Sequence, residues 1–286
     1  MGRFASALAF ALTLVVVLGA AGCGQRFERA GEAPSPGDLA ADALVAVEDA
    51  GSAHFVLDYR SAFSSDGKLV LHAAGDASRT ALVADGSVDF GFMPLNGHLE
   101  VGEHDFFIRF MDEWYGEHSG LLDAAAVAQR PENREAWDEL ATPDGLRHNF
   151  AELFDGEVAE GQPVDGAATW RFEGTLDADG MLELARRLHA EAPQDDELFR
   201  KVAAATHVVL VVGQADKLPR RLEFSVDLDP ADLQRMQESD AAVFESAENF
   251  KSSLVLSDFG TDVELHAPGD VKPLDALFEK LFGGFE

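Results

Sequence analysis

The sequence predicts an α+β protein in which several helices pack on one antiparallel β-sheet. An opening segment with apolar residues at helical spacing is followed by many short segments in which apolar and polar residues alternate. These alternating segments follow one another with short turns between them, as consecutive antiparallel strands do. Hydrophobic residues make up 47% of the chain, so a substantial core can form.

The first 22 residues are predicted to be a secretory signal peptide. Arg3 precedes an apolar stretch that ends in small residues, which is the usual arrangement of such signals. The stretch is marginal as a transmembrane helix, because crossing a bilayer takes about 20 apolar residues. Directly after it comes Cys23, the single cysteine of the chain, which excludes an intrachain disulfide and a cysteine-rich zinc site.

Residues 18–23 resemble a bacterial lipobox, in which small residues directly precede a lone cysteine. Leu is the commonest residue three places before that cysteine, and here Ala20 occupies the place. The resemblance implies a diacylglycerol on the Cys23 sulfur, cleavage after Gly22, and a further acyl chain such as palmitate on the new amine. Two or three acyl chains suffice for stable membrane anchoring. The alternative is a secreted protein that is cut elsewhere and in which Cys23 has no such role.

Residues 23–37 are interpreted as the lipidated cysteine and a flexible tether, and residues 38–286 as one folded domain. The tether contains Pro34, Pro36 and several Gly, and it shows no apolar periodicity. The domain is predicted to open with a helix that Asp38 caps and Gly51 stops. No second linker appears in the rest of the chain.

Alternation with a period of two begins after the first helix and recurs along the domain. The Asn96-Gly97 pair stands between two alternating segments, and this is the strongest short-range signal for a hairpin turn. A helical region is predicted over residues 121–154 with a break at Pro143, and a short amphipathic helix over residues 273–282.

One face of the predicted sheet is apolar along many strands, and its side chains are candidates for lining a ligand cavity. The chain has 21 Phe but only 3 Trp and 2 Tyr, so most of its aromatic surface has no polar atom. The alternative is that the same side chains fill a closed core beneath the helices. The candidates are Phe55, Leu57, Val88, Phe90, Phe92, Leu99, Val101, Phe106, Ile108, Phe110, Trp170, Phe172, Leu222, Phe224, Leu254 and Leu256.

The charge of the chain excludes some classes of partner. Lys and Arg number 22 against 52 Asp and Glu, which gives a net charge of −30. Nucleic-acid binding needs basic side chains in quantity, so no nucleic-acid partner is expected. Docking on anionic lipid through a basic patch is excluded for the same reason.

No constellation of residues predicts catalysis, a cofactor or a metal. The Glu103-His104 and Glu117-His118 pairs lie in predicted loops, and zinc needs three or four converging ligands. No HExxH, GxSxG, Walker-type or GxGxxG motif occurs. We therefore expect a protein that is not an enzyme and that binds neither cofactor nor metal.

Five stretches, in order along nearly all of the mature domain, carry a resemblance to a known family. They are SAHFVL (52–57); FFI (106–108) with Trp114; VAEG (158–161) with VDG (164–166) and TWRFEG (169–174); KLP (217–219) with LEF (222–224); and LVLSDFG (254–260) followed by Val263. Together with the lipobox, they resemble the LppX/LprAFG lipoproteins, which share the LolA-like fold. The stretch over residues 129–141 and the tail after Pro268 are longer than that family leads us to expect.

The resemblance implies a half-barrel: a strongly curved antiparallel sheet with helices across its concave face and an apolar cavity between them. It also implies that the protein binds acyl chains of a lipid or glycolipid and carries them through the cell envelope, at the extracytoplasmic face of the cell membrane. The implied partners are that ligand, the membrane through acylated Cys23, and a membrane transporter or envelope assembly component. The alternative is a stress-sensing, regulatory or assembly lipoprotein that acts through protein contacts.

Overall fold

The computed structural model describes residues 32–63, 67–89, 94–102, 105–117, 142–187, 196–238, 249–266 and 268–282. Predictions about the signal peptide, Cys23 and most of the tether fall outside these residues and stay predictions. The same holds for Phe90 and Phe92, for Glu103-His104 and His118, and for residues 118–141 of the predicted helical region.

One open antiparallel sheet of eleven strands forms the centre of the fold, which confirms the predicted class. The strand order is β6-β5-β4-β3-β2-β1-β11-β10-β9-β8-β7, so that β11 returns to pair with β1 and joins two meanders. The strands are β1 (Ser52–Phe63), β2 (Gly67–Ser78), β3 (Leu82–Asp89), β4 (Pro94–Val101), β5 (Phe106–Phe110), β6 (Glu113–Glu117), β7 (Phe154–Glu160), β8 (Thr169–Leu176), β9 (Thr206–Gly213), β10 (Pro219–Val226) and β11 (Phe250–Ser257).

Helices precede the sheet, connect its later strands and follow it. They are α1 (Pro36–Ala50), α2 (Pro143–Phe150), α3 (Ala178–Arg187), α4 (Asp196–Ala205), α5 (Pro230–Glu238) and α6 (Leu274–Phe282). Helix α6 confirms the amphipathic helix predicted for the tail. Within the described residues, no helix combines the length and the apolar character needed to span a bilayer.

Helix α1 begins three residues earlier than predicted. Ser35 is the N-cap, and its hydroxyl accepts a hydrogen bond from the Asp38 N–H at 3.1 Å. Pro36 follows in the first turn, where its missing N–H costs no hydrogen bond. At the other end, Gly51 adopts a left-handed conformation (φ 77°), so the predicted stop is confirmed.

The predicted turn at Asn96-Gly97 is wrong, because both residues lie within β4. Asn96 pairs with Ser87, and Gly97 pairs with Gly86, in a ladder that runs from the pair Asp89–Pro94 to the pair Leu82–Val101. Pairing over the whole length of β3 keeps the apolar residues of β4 on one face of the sheet. This pairing outweighs the local preference of Asn-Gly for a turn.

The predicted break falls directly before Pro143: Thr142 has an extended backbone, and the proline opens a helix instead of lying in the break. Thr142 caps α2, and its hydroxyl accepts a hydrogen bond from the Gly145 N–H at 3.0 Å. Pro143 stands in the first turn, as it does in many helices. Phe154, which was placed at the end of the helical region, begins strand β7.

We call the face of the sheet that carries α1 the inner face and the opposite face the outer face. The first half of α1 packs on β8 and β9, where Leu39 contacts the cluster around Phe172 and Val212. Its last turn packs on β1 and β11 through Val47. At the far end of the sheet, Leu277 of α6 packs on the inner face of β5 and β6.

Candidate functional site

All the described cavity candidates lie on the inner face. Successive side chains of a strand point to opposite faces, so the strand register fixes this assignment. For example, Leu57 pairs with Leu254, which in turn pairs with Leu222. The sequence pattern therefore brings together Phe55, Leu57, Val88, Leu99, Val101, Phe106, Ile108, Phe110, Trp170, Phe172, Leu222, Phe224, Leu254 and Leu256.

Burial divides these candidates into two groups. The buried group holds Phe55, Val101, Phe106, Phe110, Phe172, Leu254 and Leu256. The half-buried group holds Leu57, Val88, Leu99, Ile108, Trp170, Leu222 and Phe224. Only the second group has side-chain surface that a ligand could still cover, so it is the better set of contact candidates.

A patch of small residues on β2, β3 and β4 lies between the larger inner-face side chains. Ala73 pairs with Gly86, Gly75 pairs with Ala84, and Gly86 pairs with Gly97. A Cβ atom on Gly75 would lie 1.9 Å from the Val83 carbonyl oxygen, so β3 approaches too closely for a side chain there. We call these five inner-face residues the small-residue patch: Ala73, Gly75, Ala84, Gly86 and Gly97.

The sequence reasoning missed this patch because it searched for large apolar residues. The signal was present, since Ala73, Gly75 and Ala77 occupy alternate positions of β2. Small residues at alternate positions leave a strand flat on one face, and larger side chains such as Leu57 and Leu99 then stand above it.

A small apolar cavity lies where the end of α1 meets β1, β2 and β11. Its volume is about 50 Å³, and its lining includes Val47, Ala53, Phe55 and Leu256. A cavity of this size holds one or two water molecules, since each occupies about 30 Å³ in the liquid. An acyl chain can enter only if α1 moves away from the sheet.

A half-buried ion pair closes one side of this cavity. The Glu48 side chain is 7% exposed, and Arg79 Nη2 donates to its Oε1 at 2.8 Å and to the Glu48 carbonyl oxygen at 3.2 Å. Burial raises the pKa of the Glu48 carboxyl, and the Arg79 charge opposes that rise. Arg79 follows β2, so this pair fastens the end of α1 to the first half of the sheet.

After β11 the chain returns along the sheet to its other end. We call residues 258–266 and 268–272 the strap. The His266 N–H donates to Glu100 Oε2 at 2.7 Å on β4. The Lys272 N–H donates to the Trp114 carbonyl at 2.9 Å, and the Lys272 carbonyl accepts from the Gly116 N–H at 2.9 Å. The strap therefore adds a short parallel bridge to the outer edge of β6.

An ionic clip fastens α6 and the strap to β6. Lys272 Nζ, Lys280 Nζ and Tyr115 Oη contact the Glu113 carboxylate at 2.5, 2.8 and 2.6 Å. Hydrogen bonds from the two lysines and the tyrosine lower the pKa of Glu113 to about 2, and the Glu113 hydrogen bond raises the pKa of each lysine. Leu277 is buried beside Tyr115, so apolar contact accompanies the charges.

Cross-strand pairs of histidine and aspartate mark the outer face. His54 Nδ1 lies 2.9 Å from Asp76 Oδ1, and His72 Nδ1 lies 3.0 Å from Asp58 Oδ1. In each pair the two residues stand directly opposite each other on β1 and β2. Among the described residues, His, Cys, Asp and Glu do not form a group of three or more that could hold a metal ion.

No protein-family model and no curated protein matches this chain. Fourteen chains of solved structures match it. One is the crystal structure of LprF from Mycobacterium bovis, which is similar at 14% identity and a TM-score of 0.44 over 84% of this chain and 100% of that chain. The class of fold given above follows from the strand order of this chain alone, and the family resemblance drawn from its sequence stays a prediction.

Proposed function

We propose that this protein is a lipid-anchored lipoprotein that binds acyl chains of a lipid or glycolipid and carries them through the cell envelope. One observation carries the proposal: the inner face is apolar across the sheet and is covered by helices at both ends. Helix α1 covers it on β8 and β9 through Leu39, and α6 covers it on β5 and β6 through Leu277. Such a face can hold a long apolar ligand between sheet and helices.

The free energy of acyl burial explains why a carrier needs this surface. A chain of about 16 carbons costs about 12 kcal/mol to leave in water, at about 0.8 kcal/mol per CH₂ group. The small-residue patch gives such a chain a floor, and Leu57, Leu99 and Ile108 give it apolar walls. Because these leucine and isoleucine side chains are half-buried, a ligand would remove their remaining surface from water.

In this proposal the helix α1 is the moving part. The cavity beneath its last turn is about 50 Å³ and must widen to admit a chain. The Glu48–Arg79 pair closes that cavity, so loading requires the pair to separate or to shift with the helix.

The anchor would hold the domain near its lipid source. Acylated Cys23 at the extracytoplasmic face would place the domain within the reach of its tether, about 20 Å for a flexible segment of this length. A net charge of −30 repels anionic headgroups over the Debye length of about 8 Å. Covalent anchoring overcomes this repulsion, and a transporter or assembly component would then receive the ligand.

We propose binding without catalysis. The sequence carries no catalytic motif. The Glu48 and Glu113 carboxyl groups are held by cations at separate places: the end of α1 and the edge strand β6. Their ion pairs are better explained as fastenings of the two helices.

Lipid analysis of the purified protein tests the proposal. The mature chain with Cys23→Ser, produced without acylation, is extracted for lipid mass spectrometry and titrated with a fluorescent fatty acid. We expect a co-purifying lipid and saturable binding that unlabelled fatty acid displaces. If no lipid is recovered and no displacement occurs, the protein is not a carrier.

A second function is favoured by the small volume of the cavity beneath the last turn of α1. So little space under this helix also suits a regulatory or assembly lipoprotein that works through protein contacts, since about 50 Å³ is too little for an acyl chain. The same purified chain distinguishes the two functions. Saturable binding to an envelope protein with no binding of fatty acid would support the second function and contradict the first.

A further inference from the structure

A groove of about 420 Å³ opens between β4 and the β5–β6 hairpin, away from helix α1. Its volume falls in the range of small-molecule sites, about 300–1,000 Å³. Polar side chains from three strands and a turn meet at it. They are Asp85, Asn96, His98, Arg109 and Asp112.

The groove exists because β4 is longer than its partner. The β4–β5 ladder ends at the pair His98–Arg109, although β4 extends back to Pro94. Beyond that pair the chain turns at Met111 and Asp112, which both have left-handed backbone angles (φ 50° and 63°). Residues 95–97 of β4 therefore border the groove with a strand edge that β5 does not cover, which adds backbone donors and acceptors to the site.

One wall of the groove is fixed by His98. Its Nδ1 lies 2.9 Å from Asp85 Oδ1, and its Nε2 lies 3.2 Å from Glu100 Oε1. The ring also packs edge-on against Trp114, with centroids 5.7 Å apart. Glu100 is almost fully buried and also accepts the backbone N–H of His266, so this wall is tied to the strap.

Other polar groups at the groove remain available. The Arg109 guanidinium lies over the Trp114 ring at 5.7 Å, which positions its N–H donors. Asn96 and Asp112 are exposed, and within the described part of the chain no side chain forms a hydrogen bond with either. The groove thus offers an amide, a guanidinium and carboxylate oxygens side by side.

We propose that this groove binds a neutral sugar. An anion such as phosphate would meet the carboxylates of Asp85 and Asp112, and a cation would meet Arg109. An apolar ligand would cover Asn96 and Asp112 without giving either of them a hydrogen-bond partner. A polyhydroxylated neutral ligand matches both the donors and the acceptors, because each hydroxyl can donate and accept.

The proposal goes beyond lipid carriage, and its test uses sugars without acyl chains. The mature chain with Cys23→Ser is examined by saturation-transfer NMR with D-glucose, D-mannose, D-galactose and maltose, and Trp fluorescence is recorded because Trp114 contacts His98 and Arg109. We expect saturable binding of at least one sugar at millimolar concentration, whatever the outcome of the fatty-acid titration.

Two variants assign the binding to the groove. Asn96→Ala removes an amide, and Asp112→Asn replaces an acceptor oxygen with a donor; neither group has a side-chain partner in the described structure, and each change should weaken sugar binding about fivefold or more. Asp155→Asn, an equal charge change on the outer face of β7, should leave the affinity unchanged. Circular dichroism verifies that each variant is folded.

Three outcomes would overturn the proposal. They are the absence of saturable binding for all four sugars, unchanged affinity in both groove variants, and tighter binding of inorganic phosphate than of any sugar. None of these outcomes bears on acyl binding at the inner face, so failure here is distinct from failure of the proposed function.

Discussion

Two regions of the sheet share one alternating pattern but are covered in different ways. On β8 and β9, Phe172 and Val208 are 1% exposed and Val212 is 0% exposed beneath α1. On β3 and β4, Val88 and Leu99 of the same face stay half-buried beside the small-residue patch. A helix laid on the sheet turns an apolar face into a solid core, and its absence leaves a surface that can take a ligand.

The first half of α1 and helix α6 are held on the sheet in different ways. Apolar contacts hold the first half of α1 on β8 and β9, with Leu39 and Ala43 in the buried cluster. Helix α6 packs on the sheet through Leu277 and adds the charges around Glu113. The attachment of α1 to β8 and β9 is therefore expected to depend little on pH and salt, and the attachment of α6 is expected to depend on both.

A matched pair of valine truncations measures the difference between these two regions. Val208→Ala on β9 should lower the free energy of unfolding by about 2 kcal/mol, because it leaves a cavity in packed surroundings. Val88→Ala on β3 should cost less than about 1 kcal/mol, because part of that side chain already contacts solvent. Urea titrations give both values. Equal losses would contradict the distinction between the region covered by α1 and the region beside the small-residue patch.

Filling the small-residue patch tests where a ligand lies. Ala73→Leu places a bulky side chain on the inner face beside Leu57, and it should weaken fluorescent fatty-acid binding about tenfold. Ala74→Leu adds the same volume on the outer face of the same strand and should leave the affinity unchanged. A binding site elsewhere would give both variants the same affinity.

Removing the cation at the end of α1 should loosen the contact between α1 and the end of β2. Arg79→Ala leaves the Glu48 carboxylate buried without its partner, and it should cost about 1 kcal/mol at pH 7, because Arg79 is half exposed. The pKa of Glu48 is already raised by burial and should rise further without Arg79. The variant should therefore regain stability as the pH falls from 7 towards that pKa, which thermal unfolding at several pH values measures.

A double variant without the Glu48 charge distinguishes the effect of charge on stability from the effect of packing. In Arg79→Ala combined with Glu48→Gln, no buried charge is left, and the gain in stability on acidification should disappear. If the gain persists in the double variant, another group causes it.

The smallest expected effect concerns the clip on α6. The pKa of Glu113 is about 2 when the clip is formed, below its ordinary value of 4.5. A lowered carboxyl pKa favours the docked helix above pH 4.5, and this contribution is lost as the pH falls towards 2. Amide hydrogen exchange in residues 274–282 should therefore accelerate, relative to that in β9, as the pH is lowered through this range and as salt is added.

The matched variant for this prediction is Glu113→Gln, which keeps the shape of the side chain. It should abolish both the acid-dependent and the salt-dependent change in exchange of α6. If amide exchange in α6 has the same dependence on pH and salt in this variant as in the unchanged protein, the Glu113 charge does not hold the helix, and Leu277 and its apolar neighbours do.

The sequence was sufficient for those features that depend on period and for the glycine that stops the first helix. Alternation alone placed Phe55, Trp170 and Leu254 on one face, and Gly51 stopped the first helix as predicted. Features that depend on which strands meet could not be predicted in this way. Asn96 and Gly97 lie in a strand because β3 pairs with them, and this pairing cannot be predicted from the turn preference of the two residues.

The sequence predicted which residues of the candidate site share one face of the sheet, but not which of them are buried. Phe172 and Leu99 look alike in an alternating pattern, yet the position of α1 makes one of them core and leaves the other half-buried. The polar groove was missed because its Asp85, His98 and Arg109 lie on three strands that are separated in sequence. Each residue taken singly is an ordinary outer-face side chain.

The bridge from Lys272 to β6 bears on how the molecule avoids aggregation. An open sheet offers a row of unpaired backbone groups at each end, and another chain can extend the sheet there. At one end the strap occupies these groups beside Trp114 and Gly116. At the other end, β7 carries the exposed carboxylates of Asp155 and Glu157, and the same charges on a second copy would repel it. One edge is thus blocked by the chain itself and the other by charge, which keeps an eleven-strand sheet from growing.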